Sequence, residues 1–324
     1  MSQDSLKIIV MGTGPFAAPM FRALYDSRHQ VAALVTQPPR TVRGNRPAPV
    51  NPMRQIAESR GTPVLDPESV NTPESREQLA AFNPELFVVA DYGQILAPET
   101  LSVARLGGVN LHGSLLPKYR GAAPINWAIY RGDRETGVTV IHMTPRVDAG
   151  PCLSQRSLTI GDDETAPELE LRLAELGAPL VCETIDALLA GHVEPLEQDP
   201  ALASTARRLR KTDGEVNWTR SATEIRLQIR ALEPWPRTAS SLHRQDHPAL
   251  RLILGRVAAV ADVAGVPPGT IVEASADRLR VATGEGVVDL LEVQPAGKRM
   301  MAFGDFLRGH PVAVGDRLGP DAPV

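Results

Sequence analysis

The first half of the chain alternates short, continuously apolar, β-branched runs with helical patterns. Ile8-Ile9-Val10-Met11 reads as a buried strand, followed by a glycine turn and a helix over 15–25. Strands are predicted over 31–36, 86–90, 108–112 and 138–143, and helices over 52–60 and 73–82. Half-exposed strands would alternate apolar and polar residues along their length, whereas most of these runs are continuously apolar. Strands of that kind, separated by helices, belong to a mostly parallel sheet covered on both faces. A helical pattern over 165–189, with leucines at 169, 171, 173 and 176, closes this Rossmann-like α/β domain, expected to span 1–189.

The pattern then changes. Gly191, Pro195 and Pro200 are breakers, and residues 201–211 are polar and basic, so 190–210 reads as a linker. A short helix is predicted over 221–232, stopped by Pro234-Trp235-Pro236. Short strands at 251–254, 270–273, 279–282 and 287–291 then suggest a small OB-like β-barrel spanning 211–324. A chain of 324 residues suits two such domains. Net charge divides unevenly between them. Residues 1–206 hold 17 Lys+Arg against 24 Asp+Glu, net −7, and residues 207–324 hold 17 against 14, net +3. A basic back half behind an acidic front points to a polyanionic partner.

Several classes are disfavoured. No stretch approaches the ~18 consecutive apolar residues a membrane span needs, and the apolar run at 8–11 is too short for a signal-peptide core. Cys152 and Cys182 form neither a zinc motif nor a disulfide framework. A soluble cytoplasmic protein without a metal, a membrane or an obligate protein partner is expected. Gly12-Thr13-Gly14-Pro15-Phe16-Ala17 fits the G-x-G-x-x-A dinucleotide pattern, but the second strand ends Val35-Thr36-Gln37, without the carboxylate that would hold a ribose. A tight strand-to-helix turn with Pro15 at the first helical position is the better reading. Its N-terminus remains able to bind an anion such as a tRNA phosphate.

The chemistry-bearing stretch is Gly108-Val-Asn-Leu-His-Gly-Ser-Leu-Leu-Pro-Lys-Tyr-Arg-Gly-Ala-Ala-Pro124. Asn110 and His112 are two apart on a strand, so they share a face, and they sit at its C-terminal end, where open α/β sheets bind ligands. Asp148 lies in the loop after the next predicted strand and is a candidate neighbour of His112. An amide donor, an imidazole and a carboxylate suit attack of an amine on a formyl carbonyl. Asn110 can donate to the developing oxyanion, and His112 can donate a proton or a hydrogen bond. Asp148 can orient the imidazole and raise its basicity, or relay the amine's proton through water. No Ser or Cys has an obvious base beside it, so no covalent enzyme intermediate is required.

At these residues the chain resembles the methionyl-tRNA formyltransferase family, from the first strand to about Arg308. The resemblance implies that Asn110, His112 and Asp148 are catalytic, with a formyltransferase N-terminal fold around them. Ser114, Leu115, Leu116 and Pro117, with Tyr92, Gly93, Ile95 and Leu96, would line the site for 10-formyltetrahydrofolate, the formyl donor. Asp91 stands where other members often carry a small residue. The Pro/Gly-rich segment with Arg40, Arg43 and Arg46 resembles the family's basic loop near the acceptor stem. The stretches 209–218, 232–236 and 294–300 resemble its C-terminal domain. Arg207, Arg208, Arg210, Lys211, Lys298 and Arg299 are then candidate contacts to initiator methionyl-tRNA. A formyltransferase for a small amine would share Asn110, His112 and Asp148 without needing the basic loop or the barrel. Two readings fall outside formyl transfer. The intact Asn-His-Asp set argues against a non-catalytic RNA-binding protein, and the missing carboxylate after the second strand weakens a nicotinamide-dependent enzyme.

Overall fold

In a computed structural model that describes residues 5–39, 50–262, 265–275 and 278–320, the N-terminal half builds one seven-stranded sheet. Strands β1 (Lys7–Met11), β2 (Gln30–Val35), β3 (Val64–Leu65), β4 (Leu86–Val89) and β5 (Gly108–His112) run parallel. Helices α1 (Ala18–Tyr25), α2 (Pro52–Ser59), α3 (Pro73–Ala80) and the single turn α4 (Pro98–Leu101) lie between them in sequence. A two-residue strand β6 (Arg120–Gly121) and helix α5 (Pro124–Tyr130) lead to β7 (Glu135–His142) and β8 (Cys152–Thr159), which join antiparallel. The order β3-β2-β1-β4-β5-β7-β8 gives the expected mostly parallel sheet with two antiparallel strands at one edge.

Burial follows the sequence pattern. Ile8, Ile9, Val10 and Met11 are fully buried, as are Phe87 and Val88, so β1 and β4 are covered on both faces. One face packs Ile9, Met11, Ala33, Val35, Phe87 and Val89 together with Leu79 and Leu101. Each of the larger side chains contributes roughly 1.5–3 kcal/mol through burial. On the other, α6 (Ala166–Leu189) comes so close to β5 that a Cβ on Gly177 would lie 2.7 Å from Leu111 Cδ2. The starts of α2 and α3 are set locally: Asn51 and Thr72 each accept a backbone N–H at 3.1 Å, and Pro52 and Pro73 follow in the first turn.

The chain divides into two compact units: 1–124, 135–159 and 168–207 form the first, and 125–134, 160–167 and 208–324 the second. The 190–210 segment, expected as a linker, pairs with the first unit. Leu196 bridges to Cys152, and β9 (Thr205–Ala206) runs parallel to β6. Most of α5 and the 160–167 turn pack in the second unit. There Asn126 Nδ2 donates to the Ala231 carbonyl at 2.7 Å, and Arg226 pairs with Asp163.

The second unit is an antiparallel, nearly closed barrel. Helix α7 (Ala222–Ala231) opens with a reciprocal Ser221–Glu224 cap. Strands β10 (Thr238–His243), β11 (Leu250–Val260), β12 (Ile271–Ala274), β13 (Leu279–Ala282) and β14 (Val287–Pro295) follow. After them come β15 (Met301–Ala302), paired to β14, helix α8 (Phe303–Gly309) and β16 (Arg317–Gly319). The order β12-β13-β14-β11-β10-β16 is brought round by a bridge from Thr270 to Arg317. Its core joins Trp218, Ile225, Leu252, Leu254, Val281, Leu290, Phe303 and Phe306.

Candidate active site

Asn110 and His112 end β5 on one face, as their spacing requires. Asn110 is half-buried and His112 buried. Because β7 is antiparallel to β5, the chain leaves β7 at the opposite end, with His142 beside Val109. The 143–150 segment must therefore fold back for Asp148 to reach the site. Gly150 allows this, since a Cβ there would lie 1.8 Å from the His142 carbonyl oxygen. Asp148 itself adopts the left-handed conformation, φ 49°, uncommon outside glycine.

Asp148 sits between the other two groups. Its Oδ1 accepts a long bond from Asn110 Nδ2 at 3.4 Å. Its Oδ2 accepts the Gly121 N–H at 2.8 Å and lies 3.6 Å from His112 Nδ1. The other ring nitrogen, Nε2, is 2.9 Å from the Tyr119 carbonyl oxygen. A carbonyl only accepts, so Nε2 carries a proton, and in the neutral ring Nδ1 is then bare and faces the carboxylate. The Tyr119 carbonyl thus holds one ring nitrogen, and Asp148, expected to orient the ring, lies 3.6 Å from the other. Tyr119 and Gly121 lie in the chemistry-bearing stretch but were not singled out, because the atoms that meet His112 and Asp148 are a backbone carbonyl and a backbone N–H.

The Ser114–Pro117 loop is tied down at every step. Ser114 Oγ donates to Lys118 O at 2.7 Å. Thr139 Oγ1 donates to Ser114 O at 2.7 Å and accepts the Leu116 N–H at 3.1 Å. Gln155 Nε2 donates to Leu116 O at 2.7 Å. Leu116 is buried, and Leu115 and Pro117 are half-buried. Of the other residues expected at the folate site, Tyr92 and Leu96 hold their side chains in the sheet's core. Burial pushes the Tyr92 phenol far above its usual range, and its hydroxyl has no hydrogen-bond partner among the described residues. Gly93 and Ile95 are exposed. Ile95 and Val147 present bare aliphatic surface from the loops after β4 and β7, the kind of surface a flat heteroaromatic ring can stack on.

The glycine turn is not open for an anion. A Cβ on Gly14 would lie 1.6 Å from Asp91 Oδ2, and Glu170 of α6 accepts the Phe16 N–H. Two of the chain's own carboxyls occupy the place expected for a tRNA phosphate. Asp91 keeps some exposed surface, yet the protein packed around it costs its carboxyl solvation and pushes it up to about 6. Burial, then the nearby Asp91, pushes Glu170 up to about 7.

Arg40, Arg43 and Arg46 lie outside the described residues. Arg207, Arg208, Arg210, Lys211, Lys298 and Arg299 are all described and lie exposed at the surface. Among the described residues no helix is long and apolar enough to cross a membrane, and no cluster of three or more His, Cys, Asp or Glu is placed to hold a metal.

This geometry has relatives. A formyl transferase family profile matches residues 6–185, and the formyl transferase C-terminal domain profile matches residues 208–311. The fold is shared with an N-formyltransferase from Helicobacter canadensis crystallised with folinic acid and dTDP-3-aminofucose. The TM-score is 0.65 at 17% identity, covering 90% of this chain and 99% of that one. Fold and profiles together define a formyl-group transferase. The methionyl-tRNA formyltransferase of Methylococcus capsulatus is 44% identical over 97% of this chain and all of that protein, and that of Rhodopirellula baltica is 42% identical over 97% of each. The chain belongs to the methionyl-tRNA formyltransferase family.

Proposed function

We propose that the chain transfers the formyl group of 10-formyltetrahydrofolate to the α-amine of methionine on initiator tRNA, in the cytoplasm. The observation that carries this reading is the Asp148 carboxylate set between the Asn110 amide and the His112 ring at the C-terminal end of β5. The folate supplies an electrophilic formyl carbon held next to its leaving nitrogen. The rigid 114–117 loop and the aliphatic Ile95 and Val147 suit the binding of its ring.

The bond from Asn110 to Asp148 is long and uses one amide N–H, which leaves the second to donate to the oxygen that becomes negative as the amine adds. Bare Nδ1 of His112 accepts the proton the amine loses. The imidazolium is then held between the Asp148 carboxylate and the Tyr119 carbonyl, and returns the proton to the departing folate nitrogen. Unit 1 carries this chemistry. The exposed basic residues of 207–211 and 298–299 bind the tRNA backbone.

The test is incubation with 10-formyltetrahydrofolate and, separately, initiator methionyl-tRNA, elongator methionyl-tRNA, glycinamide ribonucleotide and an amino-sugar nucleotide. N-formylmethionyl-tRNA is expected from the initiator. Formylation of a small amine in preference would overturn the tRNA assignment.

A further inference from the structure

Asp148 and Tyr119 share an unusual property. Both are left-handed non-glycine residues, at φ 49° and 62°, and both touch the reactive groups. Backbone in that region persists where its surroundings hold it there. Here the holding residues come from the 190–210 segment. Gln198 Nε2 donates to the Asp148 carbonyl at 2.9 Å and to the Gly150 carbonyl at 2.7 Å, gripping the turned-back loop on both sides of Ala149. Its Oε1 accepts from Arg120 Nε at 2.9 Å and Nη2 at 2.7 Å, which joins that loop to β6. Ser204 Oγ accepts the Tyr119 N–H at 2.9 Å, and the Ser204 carbonyl accepts the Arg120 N–H at 2.8 Å. Two residues on, Ala206 takes the Ala122 N–H at 2.8 Å and lies so close to Gly121 that a Cβ there would meet its carbonyl at 2.7 Å. Thus the carbonyl that orients His112 and the N–H that orients Asp148 flank and join a two-residue strand whose pairing partner is β9.

We propose that Gln198 is a positioning residue for formyl transfer, and that residues 196–206 are a strap that sets the catalytic geometry. This rests on the functional reading above. All the donors and acceptors of the Gln198 amide are committed, two to the Asp148 loop and two to Arg120, so the side chain fixes the separation of these elements in a way a looser contact would not. Gln198 touches neither reacting atom; it acts through Asp148 and Gly121. Displacement of a catalytic group by about 1 Å can cost roughly two orders of magnitude in rate.

Two full-length variants test this. Gln198→Glu keeps the acceptor for Arg120 and loses both donors to the loop; Gln198→Leu loses both functions at similar size. Steady-state formylation of initiator methionyl-tRNA is measured with each, alongside hydrogen exchange at 119–123 and 146–152 and thermal melting. Both variants are expected to lower kcat by about 10- to 100-fold, to leave KM for folate and tRNA within about threefold, and to speed exchange in both segments. Should Gln198→Leu not fold, Gln198→Glu decides alone. Wild-type kcat in the folded variants, or a loss matched by higher KM with exchange unchanged, would overturn the proposal. Failure of the wild-type protein to make N-formylmethionyl-tRNA would instead overturn the functional reading.

Discussion

Nδ1 of His112 lies 3.6 Å from Oδ2 of Asp148, while Nε2 of the same ring reaches the Tyr119 carbonyl at 2.9 Å. With Nε2 committed as donor, a lone pair faces a carboxylate, an arrangement favourable only once a proton arrives between them. The pair is therefore built for the imidazolium that forms as the amine is deprotonated. His112→Ala should slow single-turnover formylation by about two to four orders of magnitude. Asp148→Asn, which keeps an oxygen for the Gly121 N–H but removes the charge, should cost about two to three. Since the two act as a unit, the double variant should be no slower than His112→Ala alone. Additive losses would mean that they serve separate steps.

The loop proposed to line the folate site makes a distinct prediction. Leu116 is buried in a loop whose backbone is pinned by Thr139 and Gln155, so a charge there cannot swing away without breaking those bonds. Leu116→Glu should weaken folate binding by about tenfold or more, with tRNA affinity unchanged. Equilibrium fluorescence titration with tetrahydrofolate, and filter binding with tRNA, separate the two. Equal loss of both affinities would indicate general damage to the unit.

Asp91 and Glu170 predict how stability depends on pH. Their folded values, about 6 and about 7, lie above those of free carboxyls near 4. The folded protein therefore binds more protons than the unfolded chain between about pH 4 and 7. This contribution is present in full below about pH 4 and is lost as pH rises through about 6 to 7. Glu170→Gln should accordingly be more stable than wild type at about pH 8, by on the order of 1 kcal/mol after allowance for solvent screening of a half-buried group. The difference should vanish at about pH 4. Denaturant melts at both pH values check this, and a variant less stable than wild type at the higher pH would contradict it.

The sequence revealed most where a single force set the outcome. Hydrophobic burial places β1 and β4, so their apolar runs marked them almost to the residue. Strand β8, Cys-Leu-Ser-Gln-Arg-Ser-Leu-Thr, is an edge strand with one wet face and carries only a weak signal. Strand β10 buries Ser240 and Ser241, and Ser240 is satisfied by Trp218 Nε1 at 3.0 Å, a partner 22 residues away. Such long-range compensation leaves no local pattern. The site divides in the same way. The Asn110–His112 spacing was visible in one strand, whereas the Tyr119 carbonyl, the Gly121 N–H and Gln198 act through tertiary hydrogen bonds that residue identity does not announce. Gln198 stood in a stretch whose glycine and prolines read as linker. The turn at Gly12–Phe16 had the sequence of an anion site, but its place is taken by carboxyls from two distant elements.

The basic residues after β9 give the last prediction. Unit 1 is drawn from a net-acidic stretch, so tRNA phosphates need attraction from elsewhere. Deleting 208–324 is a poor test, because α5 and the 160–167 turn pack within the second unit and would lose their partners. Neutralising exposed charges in the intact chain avoids this. The quadruple variant Arg207→Gln, Arg208→Gln, Arg210→Gln, Lys211→Gln should weaken binding of initiator and elongator tRNA alike, because phosphate contacts carry no sequence. Each lost phosphate contact should reduce the slope of log affinity against log salt by about 0.7–0.9, so four should flatten it by about 3. Lys298→Gln with Arg299→Gln should flatten it by about half as much. The kcat at saturating tRNA should stay within about twofold, since phosphate contacts position the substrate and take no part in the chemical step. Titration of both tRNAs across a salt series reads all of these effects. An unchanged slope in the quadruple variant would remove 207–211 from the tRNA path. A loss confined to the initiator would mean that these residues read sequence as well as charge.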